Sequence, residues 1–322
     1  MDVVGIDMPN LDFLSHIEQL PSSNQSMPLI EYSWQGGGKV STALVALARL
    51  GAKCGIIGTV GSDLPGRFCK MDFEKHGIDT THLKMAEGVE TPVCLVISEK
   101  KTRQRNILYH AGNVRQTQPG QFDKDFIQSA GYLHLAQPSQ AARDAISMAR
   151  ESGTKVSFDA DSYHPETQEL IPEIDVFIAS EFYYRSVFSN DHYEQNCRQI
   201  QKMGPEIVIF TLGGEGCVGV DKNGFFREST FDVPVVDTVG AGDVFHGAFL
   251  FGLLNNWDAQ RCAKFANAVS SIKCTRIGGR AAIPNFKTAT DFMNSGLIDY
   301  EEIDKRVAFY KRGLDDASQT RV

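Results

Sequence analysis

Short apolar strands alternate with amphipathic helices along this chain, and this alternation constrains its fold more than any other feature. The segment DVVGID predicts a buried strand, and KCGIIGTVG predicts the next one. Between them, GGGKVSTALVALARLGA predicts a loop and then a helix that ends at Gly51. DLPGRFCKMDFEKHGI predicts a further helix that ends near Gly77. Such alternation is typical of an α/β fold with a mainly parallel central sheet flanked by helices.

The same pattern continues in the second half of the chain. AGYLHLA, KVSFDA and DVFIAS predict strands, and SQAARDAISMARESG predicts a helix that ends at Gly153. IVIFTLGGEGCVGV predicts a strand, a glycine turn and another strand. Two helices follow, the first running from after Gly242 to about Leu254 and the second over AQRCAKFANAVSSIKCTR. Because no repeat or long linker interrupts the pattern, we expect one domain over residues 1–322.

Residues 91–110, TPVCLVISEKKTRQRNILYH, interrupt the alternation. Two runs of alternating apolar residues flank the charged tip EKKTRQR, which predicts a β-hairpin. In an α/β chain such a hairpin forms a lid over a site, an edge through which two copies pair, or a plain surface ribbon.

Composition and charge argue against several classes of function. The formal net charge is −8, whereas nucleic-acid binding relies on Lys and Arg side chains that neutralise phosphates. No apolar run reaches membrane-spanning length, and the start MDVVGIDMPNLDF has none of the basic residues that begin a signal peptide. The 7 cysteines form no C-x-x-C pair, which argues against a zinc site or a disulfide framework. We therefore expect a cytoplasmic protein without nucleic-acid or membrane partners.

Two familiar phosphate-binding motifs are absent from the sequence. A Walker A loop requires G-x-x-x-x-G-K-[ST], but in SWQGGGKVS the residue after Lys39 is Val40, and Ser33 stands where the first glycine belongs. The dinucleotide fingerprint G-x-G-x-x-G, expected between the first strand and its helix, is missing from VVGIDMPNLDF. The sequence therefore supports neither a P-loop ATPase nor a Rossmann dehydrogenase.

The stretch DTVGAGDVFHGAF, residues 237–249, combines a predicted helix start with a carboxylate. Small residues lead into a helix whose free N–H groups and dipole favour a bound anion. Asp243 stands at the same place, where its charge would repel a phosphate. The carboxylate can accept the proton of an attacking hydroxyl during phosphoryl transfer, or it can simply cap the helix. Spacing alone leaves both interpretations open.

Two separated motifs resemble the signatures of the PfkB carbohydrate kinases, also called the ribokinase-like family. DTVGAGDVFHGAF closely matches the C-terminal signature D-T-x-G-A-G-D-x-F, and GGGKVSTALVALARLGAKCGIIGTVGSD resembles the N-terminal signature. Their order and separation also fit. The resemblance implies a three-layer α/β fold with a small β-sheet lid, formed here by residues near 12–35 and 91–110. It also implies transfer of the γ-phosphate of ATP, with Mg²⁺, to a sugar hydroxyl.

The resemblance further implies roles at the point of phosphoryl transfer. Asp243 would be the catalytic base that deprotonates the sugar hydroxyl. The amides of Gly240, Ala241 and Gly242 would form the anion hole for the transferred group. Asp237 matches a position that in many members helps to bind a monovalent cation such as K⁺.

For the sugar, the resemblance implies contacts from Asp12, Gly37 and Gly38. The segment HAGN, which ends at Asn113, resembles one that closes over the sugar. Asp12 is also compatible with a plain turn residue. Lys39 suggests a phosphate contact, and a solvated loop lysine fits the sequence as well.

For the nucleotide, TLGGEG matches the T-x-G-x-x-G pattern of the family, with Thr211, Gly213 and Gly216 in place. Asn267 falls in the helix that usually lines the adenine pocket. Without the resemblance, the two glycines would be read as hairpin residues and Asn267 as an ordinary surface amide.

The sequence departs from the family pattern at two places. Thr42 stands where an Asn usually contacts the sugar, and one hydroxyl replaces an amide donor and acceptor. SEFY stands in place of the N-x-x-E motif that orders magnesium-bound water, with Ser180 for the Asn and Tyr183 for the Glu. Glu181 is a weak substitute for that Glu. A simple ribokinase is therefore less expected than another sugar kinase.

Three segments resemble a branch of the family that includes sulfofructose kinase: GGGKVSTALVALARLGA, GDVFHGAF and KCTRIGGRAAIP. An anionic sugar needs a cationic clamp, and LAQPSQAA lacks the Arg expected for it. In FDADSYH, Asp159 and Asp161 are followed by no Arg, which disfavours a sugar acid. We therefore expect a relative of this branch with another substrate.

Taken together, these motifs predict an ATP-dependent kinase of a small carbohydrate that acts on a primary hydroxyl, with a possible homodimer through the lid. A nucleoside kinase on the same fold is the alternative, and Phe13, Tyr32 and Trp34 would then supply a pocket for the base beside Asp12. A catalytically weak sugar-sensing protein is a further alternative because of the altered SEFY segment.

Overall fold

The structure, a computed structural model, describes residues 1–102, 104–115 and 122–311. The strands in these ranges are β1 (Val3–Ile6), β2 (Asn10–Ile17), β3 (Glu31–Gly37), β4 (Cys54–Gly61), β5 (Leu83–Ala86), β6 (Val93–Glu99), β7 (Arg105–His110), β8 (Tyr132–Leu135), β9 (Lys155–Ala160), β10 (Val176–Ser180), β11 (Ile207–Thr211), β12 (Cys217–Asp221) and β13 (Gly224–Glu228). The α-helices are α1 (Lys39–Leu50), α2 (Leu64–Lys75), α3 (Lys124–Gln128), α4 (Gln140–Ser152), α5 (Pro165–Leu170), α6 (Glu181–Val187), α7 (Tyr193–Gln201), α8 (Ala241–Leu254), α9 (Ala259–Lys273), α10 (Phe286–Ser295) and α11 (Tyr300–Tyr310).

A large sheet forms the centre of the molecule, with 9 strands in the order β13-β12-β11-β10-β9-β8-β1-β4-β5. The pairs from β5 across to β11 are parallel, whereas β11–β12 and β12–β13 are antiparallel. The predicted mainly parallel sheet is therefore confirmed. The antiparallel end corresponds to the strand, glycine turn and strand predicted for IVIFTLGGEGCVGV.

Helices cover both faces of this sheet and enclose two hydrophobic cores. One core contains side chains of α1, α8 and α9, such as Leu44, Phe249 and Val269. The other contains side chains of α4 and α7, such as Ala145 and Cys197. Successive residues of β10 alternate between the two cores, because neighbouring side chains of a strand point to opposite faces. The result is the three-layer α/β architecture predicted from the sequence.

The predicted helix ends agree with the structure. Gly51 closes α1 with a φ of 111°, and Gly153 closes α4 with a φ of 80°. Glycine is favoured at such left-handed positions because it carries no Cβ. None of the helices in the described ranges is long and apolar enough to cross a membrane.

A second, small sheet contains β3-β2-β6-β7 in that order. β2 pairs antiparallel with β3 and parallel with β6, and β6 and β7 form the predicted hairpin. This confirms the small sheet expected from residues near 12–35 and 91–110. Arg103, in the hairpin tip, lies outside the described residues.

Candidate active site

Four polar residues lie where strands of the parallel sheet end. Asp7 follows β1 and Asp161 follows β9, while Ser180 and Thr211 are the last residues of β10 and β11. Ser180 and Thr211 are also partners in the register of these two strands. Parallel strands end at one edge of a sheet, and open α/β sheets bind ligands there. The strand order changes direction at β1, so Asp7 lies at the switch point of the sheet.

The helix α8 begins beside this edge, at a turn that only glycine fits. Gly240 has a φ of 72°, and a Cβ there would lie 2.8 Å from the Cα of Gly279. The Ala241 N–H donates to the carbonyl oxygen of Thr238 at 3.2 Å. Gly242 is exposed, and a first-turn N–H has no acceptor within its own helix. The turn therefore offers a free amide at Gly242, while the Ala241 amide is engaged within the turn.

Asp243 lies in the first turn of α8, and its charge is disfavoured by its surroundings. Burial raises the pKa of its carboxyl group well above the usual range for an aspartate. The neighbouring carboxylates of Asp159, Asp7 and Asp161 raise it further, whereas the Lys39 ammonium group lowers it. Asp243 is thus a carboxyl group with an unusually high affinity for a proton.

The charges around Asp243 are held by two side-chain pairs. The Lys39 ammonium lies 2.8 Å from an Asp161 carboxylate oxygen. His246, one turn after Asp243 on α8, places its Nε2 3.3 Å from a carboxylate oxygen of Asp159. Burial alone would raise the pKa of Asp159, but His246 and Lys39 lower it. Asp159 therefore stays ionised next to Asp243 and adds to the high pKa of that residue.

A cavity of about 400 Å³ lies on one side of the α8 turn. Its lining includes all of the residues predicted for the nucleotide together with two of the predicted anion-hole residues: Ser180, Thr211, Gly213, Gly216, Asn267, Ala241 and Gly242. Apolar side chains, among them Phe231, Val233 and Phe245, line it as well. Residues far apart in the sequence therefore surround one space with apolar walls and a helix N-terminus.

Local geometry explains two of the residues that line this cavity. Gly216 has a φ of 93°, and a Cβ there would lie 2.0 Å from the Glu228 carbonyl oxygen. The Asn267 side chain is 4 % exposed, and its amide donates to the carbonyl oxygens of Glu228 and Ser229, each at 3.2 Å. Gly216 thus permits the close approach of the end of β13, and Asn267 holds that end and the residue after it beside the cavity. The surface-amide interpretation of Asn267 is wrong, because the side chain is buried.

A second cavity, of about 270 Å³, lies at the end of β1. Asp7, Gly38 and Lys39 line it, together with Gln137 and Ser139 from the segment LAQPSQAA. Gly38 has a φ of 99°, and a Cβ there would lie 2.6 Å from an Asp7 carboxylate oxygen. That oxygen accepts the Ser41 N–H at 2.8 Å, so Asp7 also caps the start of α1. The sequence interpretation did not single out Asp7, although its place directly after a buried strand was a signal.

Asp12 lies in β2 of the small sheet, where Gly37 and Asn10 are close to it. A Cβ on Gly37 would lie 2.6 Å from an Asp12 oxygen, and the Asn10 amide donates to Asp12. Burial raises the pKa of Asp12 to about 6, although the Arg280 guanidinium opposes the shift. Because Asp12 lies within β2, it is a strand residue rather than a turn residue.

The polar side-chain atoms of Thr42 and Asn113 both make hydrogen bonds to other parts of the protein. Thr42 is 3 % exposed, and its hydroxyl accepts from Nε of Arg280 at 3.2 Å. The Asn113 side-chain oxygen accepts the Glu90 N–H at 2.8 Å, and the Asn113 N–H donates to the Glu90 carbonyl. Sugar contacts from these two residues stay predictions, and in this structure both residues connect segments of the protein.

The segment that replaces the magnesium-associated N-x-x-E motif has a structural role here. Ser180 caps α6 by accepting the Tyr183 N–H and donates to the Asp161 carbonyl. Tyr183 is fully buried, with its hydroxyl bonded to Gln168. The Glu181 carboxylate is partly exposed beside Arg185, at 3.5 Å. Tyr183 therefore faces the core rather than the edge of the sheet.

Asp237 connects the α8 turn to the segment after α9. Its carboxylate accepts the N–H groups of Val239 at 3.0 Å and of Gly278 at 2.8 Å. Its carbonyl oxygen accepts from the ammonium group of Lys273 at 2.8 Å, and Lys273 is fully buried. The monovalent cation expected beside Asp237 stays a prediction, and a side-chain cation lies at the same residue.

A family model described as "pfkB family carbohydrate kinase" matches residues 2–285 of the chain. The chain belongs to the PfkB family. This kinase is 28 % identical over 278 residues to an ATP-dependent ribose-1-phosphate kinase of Halopiger xanaduensis, covering 85 % of this chain and 92 % of that one. It is 27 % identical over 297 residues to a ribokinase of Haemophilus influenzae, covering 88 % and 95 %.

The kinase also resembles solved structures of the ribokinase fold. A candidate ribokinase II from E. coli, in complex with ATP and Mg²⁺, superimposes with a TM-score of 0.81 at 20 % identity and covers 91 % of this chain and 99 % of that one. The predicted ribokinase-like fold is thus confirmed. The kinase is an ATP-dependent phosphotransferase that acts on a hydroxyl group of a sugar or a nucleoside.

Proposed function

We propose that this kinase transfers the γ-phosphoryl group of ATP to a primary hydroxyl of a small carbohydrate, with Asp243 as general base. The observation that carries the proposal is that Asp243 adjoins residues of both cavities. Ala241 and Gly242, just before it, line the larger cavity. Asp7 and Lys39, which act on its carboxyl group, line the smaller one. A phosphate donor in the larger cavity and an alcohol in the smaller one would meet at this carboxylate.

The residues of the α8 turn have separate roles in the reaction. The sugar oxygen forms a bond to the γ-phosphorus, and the bond between that phosphorus and the β–γ bridging oxygen breaks, so that ADP leaves with the electron pair. Asp243 accepts the proton of the hydroxyl group. The amide of Gly242, together with that of Gly240, stabilises the negative charge on the phosphoryl oxygens, whereas the Ala241 amide keeps the turn in shape through its bond to the Thr238 carbonyl oxygen. Asp237 positions this turn through its two backbone N–H contacts.

The high pKa of Asp243 suits a base of this kind. A carboxylate with the usual pKa of about 3.9 holds a proton too weakly to take one from an alcohol efficiently near neutral pH. Burial and the neighbouring carboxylates raise that affinity. The Lys39 ammonium opposes this rise in pKa and so favours the ionised form, which is the form that can accept a proton.

Mg²⁺ fits this site as an ion carried by the nucleotide. Within the described residues no cluster of three or more His, Cys, Asp or Glu side chains could hold a metal ion. Mg²⁺ commonly binds phosphates and waters with only one or two carboxylates. Asp161 and Glu181, at the ends of β9 and β10, are partly exposed carboxylates that would face such waters. When bound, the ion would neutralise charge on the β- and γ-phosphates.

For the small sheet we propose a role as a lid. Arg105 of β7 lines the larger cavity, and its guanidinium lies 3.2 Å from the Thr238 hydroxyl, next to the α8 turn. This contact joins the small sheet to the phosphoryl-transfer site. Closure of the sheet would exclude water, which competes with the sugar as acceptor. The whole chain would then act as one kinase domain.

A nucleoside kinase is the second candidate, because the small sheet carries an aromatic cluster. The Phe13 and Trp34 ring centroids lie 4.5 Å apart, and Phe13 and Tyr32 lie 6.1 Å apart. Tyr32 is 58 % exposed, so one ring of the cluster is available for stacking on a base.

A screen for ADP release distinguishes the two candidates. The protein would be incubated with ATP and Mg²⁺ and with single ketoses, pentoses, sugar phosphates, sugar acids or nucleosides. We expect turnover with a neutral sugar that has a primary hydroxyl, because the described lining of the smaller cavity offers one cation, Lys39, already paired with Asp161. Product mass would identify the phosphorylated compound. Turnover confined to nucleosides would favour the second candidate.

Lys39→Met should shift the acidic limb of the pH–rate profile to higher pH. A base must be ionised, so activity falls as the pH drops through the pKa of Asp243. Loss of the Lys39 ammonium removes the positive charge that lowers this pKa, so the pKa rises and the limb moves upward. The measurement is kcat/KM for the sugar as a function of pH at saturating ATP.

Two controls accompany this profile. Lys39→Arg keeps the positive charge and should leave the limb near its original pH. Lys70→Met removes a surface charge that pairs with Glu74 on α2, and it should shift nothing. A limb that stays in place or moves to lower pH in Lys39→Met would contradict the assignment of Asp243 as the titrating base.

We also propose a homodimer that forms through the small sheet of a cytoplasmic kinase. The β7 strand exposes Ile107, Leu108 and Tyr109, which are 50 %, 56 % and 76 % exposed. Contiguous apolar side chains on a sheet edge favour pairing with another surface. The acidic net charge of −8 supports small-molecule substrates rather than nucleic acid as partners.

A further inference from the structure

Lys273, the last residue of α9, places a positive charge in the interior of the protein. Its side chain is fully buried, and its ammonium group donates to the carbonyl oxygen of Asp237 at 2.8 Å. Within the described residues no carboxylate lies at ion-pair distance from it. Burying an ammonium group costs free energy unless the group is paired or hydrogen-bonded. Here its hydrogen-bond partner is a backbone carbonyl rather than a carboxylate.

Asp237, whose carbonyl oxygen binds the Lys273 ammonium group, is the first residue of the turn that leads into α8. The Asp237 carboxylate binds the N–H groups of Val239 and Gly278, and the Asp237 N–H donates to the Cys274 carbonyl. Three hydrogen bonds of Asp237 therefore hold the turn from 237 to 240, one within the turn and two to the segment after α9. The Lys273 ammonium completes this set by fixing the direction of the Asp237 carbonyl.

A free monovalent cation does not fit this arrangement. Such an ion is held by oxygen ligands, backbone carbonyls above all. The Asp237 carbonyl already accepts from an ammonium group, and both carboxylate oxygens accept backbone N–H groups. A second positive charge close to Lys273 would be repelled by it. The cation expected at Asp237 and the buried lysine thus exclude each other.

We propose that the Lys273 ammonium is a built-in cation that makes the kinase independent of K⁺. It acts as a positioning residue through the Asp237 carbonyl, and holds the turn so that the amides of Gly240 and Gly242 face the transferred phosphoryl group. The proposal rests on the function proposed for that turn. Its test therefore includes a measurement that needs no turnover.

The wild-type protein gives the first part of the test. Activity and thermal unfolding would be measured in KCl, NaCl and choline chloride at equal ionic strength. We expect rates within about twofold of one another and the same melting temperature in all three salts, because no free ion occupies the turn. A wild type that K⁺ activates tenfold or more, or stabilises selectively, would overturn the proposal.

Lys273→Met gives the second part, because Met replaces the long side chain without its charge. In choline chloride we expect at least a tenfold loss of kcat together with a lower melting temperature. K⁺ or NH₄⁺ should restore a large part of both, since either ion can enter the space that the ammonium group leaves. The melting temperature reports this rescue without substrate, so it stays informative if the proposed reaction is wrong.

Lys264→Met is the matched control, because Lys264 is an exposed lysine on the same helix. It should behave as wild type in every salt. If Lys273→Met fails to fold, the salt dependence of the wild type still decides the question. A folded Lys273→Met protein whose activity and melting temperature ignore K⁺ and NH₄⁺ would make Lys273 a merely structural residue and refute the proposal.

Discussion

Asp243→Asn is expected to lower kcat by about 10²- to 10⁴-fold, the usual contribution of a general base. The amide cannot take the proton of the attacking hydroxyl, while the shape of the α8 turn is kept. The nucleotide-cavity residues are untouched, so the dissociation constant for ATP should stay within about threefold of the wild-type value. Steady-state kinetics and calorimetric titration with ATP would measure the two quantities.

The same substitution should leave the melting temperature unchanged or raise it. The folded-state pKa of Asp243 is raised, so folding disfavours its charged form at every pH above the unfolded pKa, and neutral Asn removes that cost. Asp258→Asn is the matched control, because Asp258 is an exposed cap of α9 and Asn caps equally well. Near wild-type turnover in Asp243→Asn would refute the role of Asp243 as the base.

Arg280→Met is expected to lower the free energy of unfolding by about 3–5 kcal/mol, the typical effect of removing one partner of a buried ion pair. Arg280 and Asp72 have side chains 0 % and 1 % exposed, with 2.7 Å between their charged atoms. The guanidinium also donates to the Gly37 carbonyl at 2.8 Å and to the Thr42 hydroxyl at 3.2 Å. Its loss should therefore raise the KM for the sugar as well. Chemical denaturation and steady-state kinetics would measure these changes.

Arg276→Met provides the contrast for this prediction. Arg276, which lies four residues before Arg280 in the chain, pairs with Asp304, but the two side chains are 26 % and 59 % exposed. Screened pairs of this kind contribute about 0–1 kcal/mol, so its loss should be small. Adding Asp72→Asn to Arg280→Met removes the unpaired buried charge and should recover part of the stability. Equal losses in the Arg276 and Arg280 variants would contradict the argument.

The sequence was sufficient for the elements whose signals are local. Gly51 and Gly153 end helices at the predicted places, because a left-handed residue at a helix end is a property of the glycine itself. The glycine motif before Asp243 predicted the start of α8, and residues predicted for the nucleotide line one cavity with it. These predictions depended on short spacings and on strand ends that meet at one edge of the sheet.

The sequence was insufficient where a side chain has a distant partner. Arg280 reaches Asp72, Thr42 and the Gly37 carbonyl, and no periodicity relates these positions. The contact of Lys273 with Asp237 likewise depends on the packing of α9 against the α8 turn. The sequence therefore placed Thr42 at a sugar-contacting position without revealing that its hydroxyl accepts a hydrogen bond from Arg280.

The small sheet has a further consequence that comes from its place in the chain. Residues 10–37, which supply the strands β2 and β3 of this sheet, form an insertion between β1 and α1 whose two junctions lie at residues 7–9 and at Gly38. Asp7, Met8 and Gly38 also line the smaller cavity. In the proposed lid, the hinges of this insertion would also line the space proposed for the acceptor. Substitutions there that alter acceptor preference would then also alter the rates of opening and closing, so selectivity and the speed of product release would be linked.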